Sequence, residues 1–200
     1  KLVFMGTPRA AVASLAKLME SHHDVVAVYT QPDRPAGRGN KLHASPVKEY
    51  AITHGLPVFQ PEKIRTEEAL AEFRSHSACV AVVVAYGRIL PKSWLTAFEL
   101  GAINVHFSLL PKYRGAAPVN WAIINGERET GVTTMRMDEG LDTGDILVQR
   151  STDIGENENA IELMDRLAEM GAQLLFSTLA HLPTIKPKPQ DHAAATLAPI

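Results

Sequence analysis

The sequence has 200 residues, of which 46% are hydrophobic and 21% are charged, which excludes a disordered composition and allows a substantial core. Its formal net charge of −2 excludes a general attraction to nucleic acid, so contact with a polyanion needs a local basic patch. One cysteine excludes an internal disulfide and favours a cytoplasmic protein. No apolar run approaches the ~20 residues of a membrane span, so no membrane contact is expected.

Short apolar runs alternate with amphipathic segments through the first half of the chain. Residues 1–6 predict a strand, and the next segment predicts a helix with Thr7 as its N-cap and Pro8 at its first position. Residues 31–45 predict a long polar loop, and Cys79, inside an apolar run, is expected to be a buried and unreactive thiol. Further strands are predicted over 24–30, 56–61, 78–87 and 102–108, and further helices over 46–55, 66–77 (with Thr66 as N-cap) and 90–101.

The second half of the chain has a different pattern. Residues 130–154 predict a hairpin, because two strand-like runs flank an acidic loop that contains glycine. Pro-rich residues 185–200 predict a linker from one domain over 1–184 to a further domain absent from this chain. Residues 156–182 predict a long amphipathic helix, whose buried stripe comprises Ile161, Met164, Leu167, Ala168, Leu174, Leu175 and Leu179.

Strands that alternate with helices predict an α/β fold. We expect a Rossmann-like, mostly parallel sheet with helices on both faces, followed by the hairpin and the long helix. Ligands bind to such folds at the carboxyl ends of the strands. The predicted site therefore lies near residues 5–8, 29–34, 85–91 and 105–111.

Two polar residues interrupt the apolar strand over 102–108. Asn104 and His106 share one face of this strand, about 7 Å apart, because side chains alternate across a strand. Their N–H groups would suit a developing oxyanion, and an imidazole also moves protons near neutral pH. The spacing alone is equally compatible with two polar groups that bond to loop backbone.

An acidic cluster occupies the predicted hairpin loop, where four carboxylates fall within residues 138–145. Asp and Gly are common turn residues, so a solvated loop is one interpretation. A second places one carboxylate beside His106, where it would orient the imidazole and favour its charged form. The spacing does not match a calcium loop, and the histidines and single cysteine do not match a zinc site, so no metal is expected.

Basic residues follow two other predicted strand ends. The loop over 31–43 carries Arg34, Arg38 and Lys41, and Arg114 follows the 102–108 strand; these cations would suit a phosphate-bearing substrate. Gly87 ends a central strand and would allow close approach of a ligand to the backbone. The sequence lacks the glycine spacing of dinucleotide and nucleoside triphosphate sites.

Two motifs in series, "NVHFSLLPKYRGAAP" and "ETGVTTMRMDEGLDTGDIL", resemble the formyltransferases that use 10-formyltetrahydrofolate. The segments "FMGTP", "TQPDRPAGRGNKL" and "AYGRILP" extend the resemblance over nearly the whole chain. The basic loop and "RGAAP" are most similar to the branch that formylates methionyl initiator tRNA. This resemblance implies formyl transfer to the methionine α-amine, with folate and tRNA as partners, in a cytoplasmic monomer.

The resemblance also implies roles for individual residues. It assigns catalysis to Asn104, His106 and Asp142, and contact with the tRNA acceptor end to the basic loop and Arg114. The implied folate pocket comprises Gly87, Arg88, Ile89, Leu90, Ser108, Leu109, Leu110 and Pro111.

Several alternatives remain open at this point. The formyl acceptor could be an amino-sugar nucleotide or glycinamide ribonucleotide, or water in a hydrolase. A non-catalytic folate- or RNA-binding module and a metal-dependent hydrolase belong to other functional classes.

Overall fold

The computed structural model describes residues 1–36 and 41–200. The chain forms two compact units, 1–102 and 103–200. Within the described residues, no helix combines the length and apolarity needed to cross a membrane.

The first unit is built on a parallel sheet with the strand order β5-β2-β1-β6. Every residue of β1 and β6 is buried, which requires that both faces of these strands are covered. This confirms the predicted α/β, Rossmann-like arrangement. The strands are β1 (Leu2–Gly6), β2 (Val25–Tyr29), β5 (Val58–Phe59) and β6 (Val80–Val84).

Three helices of this unit follow the predicted positions, the helix predicted over 90–101 is helical only over Lys92–Leu95, and one of two predicted caps is correct. Thr66 accepts a hydrogen bond from the Ala69 N–H and caps its helix, as predicted. Thr7 is not an N-cap, because its hydroxyl donates to the Tyr86 carbonyl at 3.0 Å and Pro8 takes the cap position. The helices are α1 (Arg9–Met19), α2 (Pro46–Thr53), α3 (Glu67–Ser75) and α4 (Lys92–Leu95).

Two further expectations for this unit were wrong. The polar loop contains two short antiparallel strands, β3 (Arg34–Ala36) and β4 (Lys41–His43), which pair with each other. Cys79 is exposed, because β6 begins only at the next residue and the thiol lies outside the covered part of the strand.

The second unit contains the antiparallel strand order β7-β8-β9. The predicted hairpin is confirmed by β8 (Glu129–Arg136) and β9 (Ile146–Asp153), which flank the acidic loop. β7 (Ala102–His106) pairs with β8. A short helix that the sequence analysis did not predict, α5 (Pro118–Ile124), begins at a proline, which suits the first turn of a helix.

The long helix α6 (Ala160–His181) packs its small residues against the sheet. A Cβ placed on Gly171 would lie 3.0 Å from Val105 Cγ1 and 3.3 Å from Phe107 Cε1, so helix and strand are in close contact there. The predicted stripe was wrong at Ile161, which is 76% exposed, and its members Met164 and Leu179 are only partly buried. The buried residues are Leu163, Leu167, Ala168, Gly171, Ala172, Leu174, Leu175 and Thr178.

The segment after α6 packs on the rest of the second unit. Residues 196–198 run alongside Arg114, whose N–H donates to the Thr196 carbonyl at 2.9 Å and whose carbonyl accepts from the Ala198 N–H at 2.7 Å. Lys188 pairs with Ile146 at the start of β9. The predicted linker 185–200 is therefore held by backbone hydrogen bonds, while its role as a connection to another domain stays a prediction.

An ion pair near the start of α6 gives a testable pH dependence. Arg166 donates to both carboxylate oxygens of Glu158, and these hydrogen bonds hold the pKa of Glu158 below its ordinary value. A lowered carboxyl pKa adds stability above the unfolded pKa of about 4.3, and this stability is lost as the pH falls through the folded pKa. We expect Glu158→Gln to lower Tm at pH 7 by about 1–3 °C.

Thermal denaturation from pH 7 to pH 2.5 checks this prediction. The difference in Tm between wild type and Glu158→Gln should shrink in acid. Glu156→Gln removes the same charge from an exposed side chain nearby and serves as the control. A Tm difference that does not change with pH contradicts the assignment.

Candidate active site

Strand β7 brings Asn104 and His106 to one face and leaves the other face to the core. Val105 and Phe107 pack against α6 at Gly171, so their side chains lie on the core face of the strand. Asn104 and His106 lie opposite Met135 and Thr133 of β8 and are 7% and 6% exposed. The predicted pair therefore shares one face of the strand, away from α6.

The loop after β7 holds the imidazole of His106. Nε2 of His106 donates to the Tyr113 carbonyl at 2.8 Å, so Nε2 carries a proton in the neutral ring. Nδ1 is then protonated only when the imidazole is charged. Tyr113 adopts a left-handed backbone conformation with φ 60°, which an ordinary side chain rarely adopts.

Asp142 completes the predicted set. Its Oδ2 lies 3.7 Å from Nδ1 of His106, too far for a direct hydrogen bond but within ion-pair distance of a protonated imidazole. The same oxygen accepts from the Gly115 N–H at 2.8 Å. The loop over 113–115 thus touches the imidazole with one backbone group and the carboxylate with another.

The amide of Asn104 is available for a ligand. Within the part of the chain that the structure describes, no side chain or backbone group hydrogen-bonds it. A nearly buried amide normally has a partner, since an unsatisfied polar group is costly. Asn104 is therefore well suited to hydrogen-bond an atom of a bound substrate.

Thr133 organises the predicted folate-binding residues of the second unit. Its hydroxyl donates to the Ser108 carbonyl at 2.7 Å and accepts from the Leu110 N–H at 3.2 Å. The Ser108 hydroxyl donates to the Lys112 carbonyl, and Leu110 is 3% exposed, so both residues support the loop from inside.

A cavity of about 390 Å³ lies beside this loop. Its lining includes Leu109 and Pro111 of the predicted pocket, with Tyr113 and Glu127. The Tyr113 hydroxyl donates to Glu127 at 2.6 Å, and burial together with that carboxylate raises the tyrosine pKa. The cavity thus presents a neutral tyrosine and a carboxylate next to the loop that holds His106.

The remaining predicted folate-binding residues belong to the first unit. Gly87 adopts φ 84°, a conformation suited to glycine, and Ile89 is 66% exposed. Arg88 donates to the Gln31 side chain at 2.9 Å and to the carbonyls of residues 61 and 62, so its guanidinium braces neighbouring loops. Leu90 is buried.

The predicted tRNA-binding residues have different surroundings. Arg34 is exposed and pairs with His43 across β3 and β4. Arg38 lies outside the described residues, and Lys41 begins β4. Arg114 is only 6% exposed, and its guanidinium contacts Gln190 and His192, which favours an internal role over a phosphate contact.

Metal ligation has no obvious basis in residues 1–36 and 41–200. No group of three or more His, Cys, Asp or Glu side chains is arranged there to hold an ion. The chemistry available at the site is that of an amide, an imidazole and a carboxylate.

Comparison with known proteins decides the family. The formyl transferase family model matches residues 1–179. The chain belongs to the formyl transferase family. This confirms the family resemblance of the two sequence motifs, and it applies to the segment that carries Asn104, His106 and Asp142.

Similar members of the formyl transferase family include two named methionyl-tRNA formyltransferase. The protein from Solibacter usitatus is 54% identical, and the one from Caldanaerobacter subterraneus subsp. tengcongensis is 55% identical, over 100% of this chain. The chain spans 65% and 66% of their respective lengths. A solved N-formyltransferase from Helicobacter canadensis, in complex with folinic acid and dTDP-3-aminofucose, has a TM-score of 0.73 and 25% identity, covering 100% of this chain and 70% of that one.

Sequence reasoning missed several residues that shape the site. Gly115 supplies the N–H that binds Asp142, and Thr133 holds the loop after β7. The alternation of β8 could have placed Thr133 on the same face as Met135. Nothing in the sequence pattern marked Gln190, which contacts the Asp142 loop through its side chain.

Proposed function

We propose that this protein transfers a formyl group from 10-formyltetrahydrofolate to the α-amino group of methionine carried by initiator tRNA. The observation that carries the proposal is the convergence of His106 and Asp142 on the loop over 113–115, with Asn104 free on the same face of β7. The names of relatives that are 54% and 55% identical support this acceptor.

The first step is attack of the neutral amine on the formyl carbon. A new C–N bond forms, and the carbonyl π electrons move to oxygen, which gives a tetrahedral intermediate with a negative oxygen. The Asn104 amide and the protonated Nδ1 side of His106 would donate hydrogen bonds to that oxygen. Fixed donors in a buried site stabilise such charge more strongly than water does.

The second step expels the folate nitrogen. The attacking amine must lose a proton, and the leaving nitrogen must gain one. Asp142 would accept the amine proton, directly or through a water, and the proton then passes to the folate nitrogen as its bond to carbon breaks. The products are a formylated amine and tetrahydrofolate, with no covalent bond to the enzyme.

The two substrates would use the predicted binding residues. The proposed folate-binding residues are Gly87, Arg88, Ile89 and Leu90, together with those of the loop over 108–111. The tRNA would meet Arg34, Arg38 and Lys41 through its phosphates, which predicts an affinity that falls as salt rises.

A comparison of acceptors tests the proposal. With 10-formyltetrahydrofolate as donor, we expect kcat/KM for methionyl initiator tRNA to exceed that for an amino-sugar nucleotide or glycinamide ribonucleotide by at least about 10³-fold, since a site built around one acceptor rejects others strongly. The readout is transfer of labelled formyl to each amine. Preference for either small acceptor, or release of formate alone, overturns the proposal.

A further inference from the structure

Gln190 ties together the two loops that hold the candidate catalytic residues. Its side chain is 6% exposed and takes part in four hydrogen bonds. Oε1 accepts from Nε and Nη2 of Arg114 at 3.1 and 2.7 Å. Nε2 donates to the carbonyls of Asp142 and Gly144 at 3.0 and 2.6 Å. We propose that Gln190 is a positioning residue for formyl transfer, an inference that rests on the proposed function.

Arg114 links Gln190 to the loop that contacts His106. Arg114 is flanked by Tyr113, whose carbonyl accepts from His106, and by Gly115, whose N–H donates to Asp142. Fixing the Arg114 side chain therefore restrains both neighbouring backbone groups. Gln190 also contacts the other residue of the His106–Asp142 pair, because its Nε2 donates to the Asp142 carbonyl.

The backbone at both loops needs such support. Tyr113 and Asp142 have φ values of 60° and 51°, in the left-handed region that non-glycine residues seldom occupy. Residues keep these conformations when their surroundings over-determine them. The amide of Gln190 bonds to both loops, beside the direct bond from the Gly115 N–H to Asp142, so it helps to set the separation of His106 Nδ1 and Asp142 Oδ2.

The segment that carries Gln190 is itself anchored. The Thr196 hydroxyl accepts from the Tyr113 N–H at 2.8 Å, and the Arg114 backbone pairs with Thr196 and Ala198. Gly115 has φ 118°, and a Cβ there would lie 2.8 Å from the Ala198 carbonyl oxygen. The segment therefore lies directly on the loop that contacts His106 and Asp142.

The chemistry at this position requires an amide. One end of the side chain must accept from a guanidinium, and the other must donate to two carbonyls. Glutamate satisfies the guanidinium but presents a negative oxygen to the carbonyls of Asp142 and Gly144. Methionine has a similar shape, but it can neither accept well from the Arg114 guanidinium nor donate to the two carbonyls.

The variants Gln190→Glu and Gln190→Met, made in the full-length protein, would test the proposal. Each should lower the single-turnover rate of formyl transfer by about 10- to 100-fold, because small misplacements of catalytic groups have effects of this size. The dissociation constants of donor and acceptor should change by less than about threefold, since Gln190 acts on positioning and not on ground-state binding. A folded variant with a near-wild-type rate overturns the proposal.

A double-mutant cycle separates positioning from general stability. If Gln190 acts through Asp142, Gln190→Glu should slow an Asp142→Asn enzyme by less than about twofold. Full additivity of the two losses overturns the inference. Thr178→Val, which breaks a buried hydroxyl pair with Thr134 elsewhere in the second unit, is the destabilised control and should keep its rate.

Amide hydrogen exchange at Gly115 gives a readout that does not need activity. The Gly115 N–H binds Asp142, so its protection should fall at least tenfold in Gln190→Glu and stay unchanged in Thr178→Val. If wild type transfers no formyl group, the proposed function fails, and loss of protection still identifies Gln190 as the residue that holds the loop. Unchanged protection overturns the positioning role even in an active enzyme.

Discussion

Asp142→Asn is expected to lower the single-turnover rate of formyl transfer by about 10²- to 10⁴-fold, the range for loss of a proton-transfer group. The substitution keeps the size of the side chain and an oxygen that can accept from Gly115. Asparagine also tolerates the left-handed conformation found here, so the loop should persist. What disappears is the negative charge 3.7 Å from the His106 imidazole.

The measurement is formation of formylmethionyl-tRNA with enzyme in excess, alongside equilibrium binding of folate. We expect folate affinity to stay within about threefold of wild type, because the lost interaction belongs to proton transfer. Asp145→Asn, in the same acidic loop but with an exposed side chain, is the matched control and should react at the wild-type rate. Retention of more than about a third of the rate by Asp142→Asn contradicts the assigned role.

Asn104→Ala should lower the rate by about 10²- to 10³-fold, the effect of removing one donor to an oxyanion. The amide is nearly buried and makes no hydrogen bond within the described residues. Its removal therefore leaves no protein group there without its hydrogen-bond partner. The expected effect is on kcat, with little change in substrate binding, because the negative oxygen exists only after attack.

Separate measurement of kcat and KM distinguishes this role from a binding role. A rise in KM at unchanged kcat would show that Asn104 contacts the ground-state substrate instead. Asn120→Ala deletes an amide from an exposed position of α5 and should change neither parameter.

The placement of Asn104 and His106 could be predicted because it depends on local geometry alone. A strand has a period of two residues, so the apolar Val105 and Phe107 identified the core face and left the polar pair on the other. The same reasoning identified the hairpin of β8 and β9. The proximity of Asp142 to His106 required the family resemblance, since a loop position is not determined by periodicity.

The surroundings of the arginines could not be predicted because they depend on contacts distant in sequence. Arg114 meets Gln190, 76 residues later, and a basic residue in a turn has no local signal for burial. The pairing of residues 196–198 with Arg114 also lacks an alternating pattern, so the Pro-rich end of the chain had the composition of a linker. Exposure of Cys79 depended on where β6 begins, to within one residue.

The packing of residues 188–198 against the loop over 113–115 changes which residues should be kept together with the candidate site. A fragment cut at residue 179, the last position of the family match, would retain Asn104, His106 and Asp142. It would lose the Thr196 and Ala198 backbone groups and the Gln190 side chain that secure their loops. For expression, grafting or swapping between relatives, this segment belongs with the candidate site and should be exchanged together with the loop over 113–115.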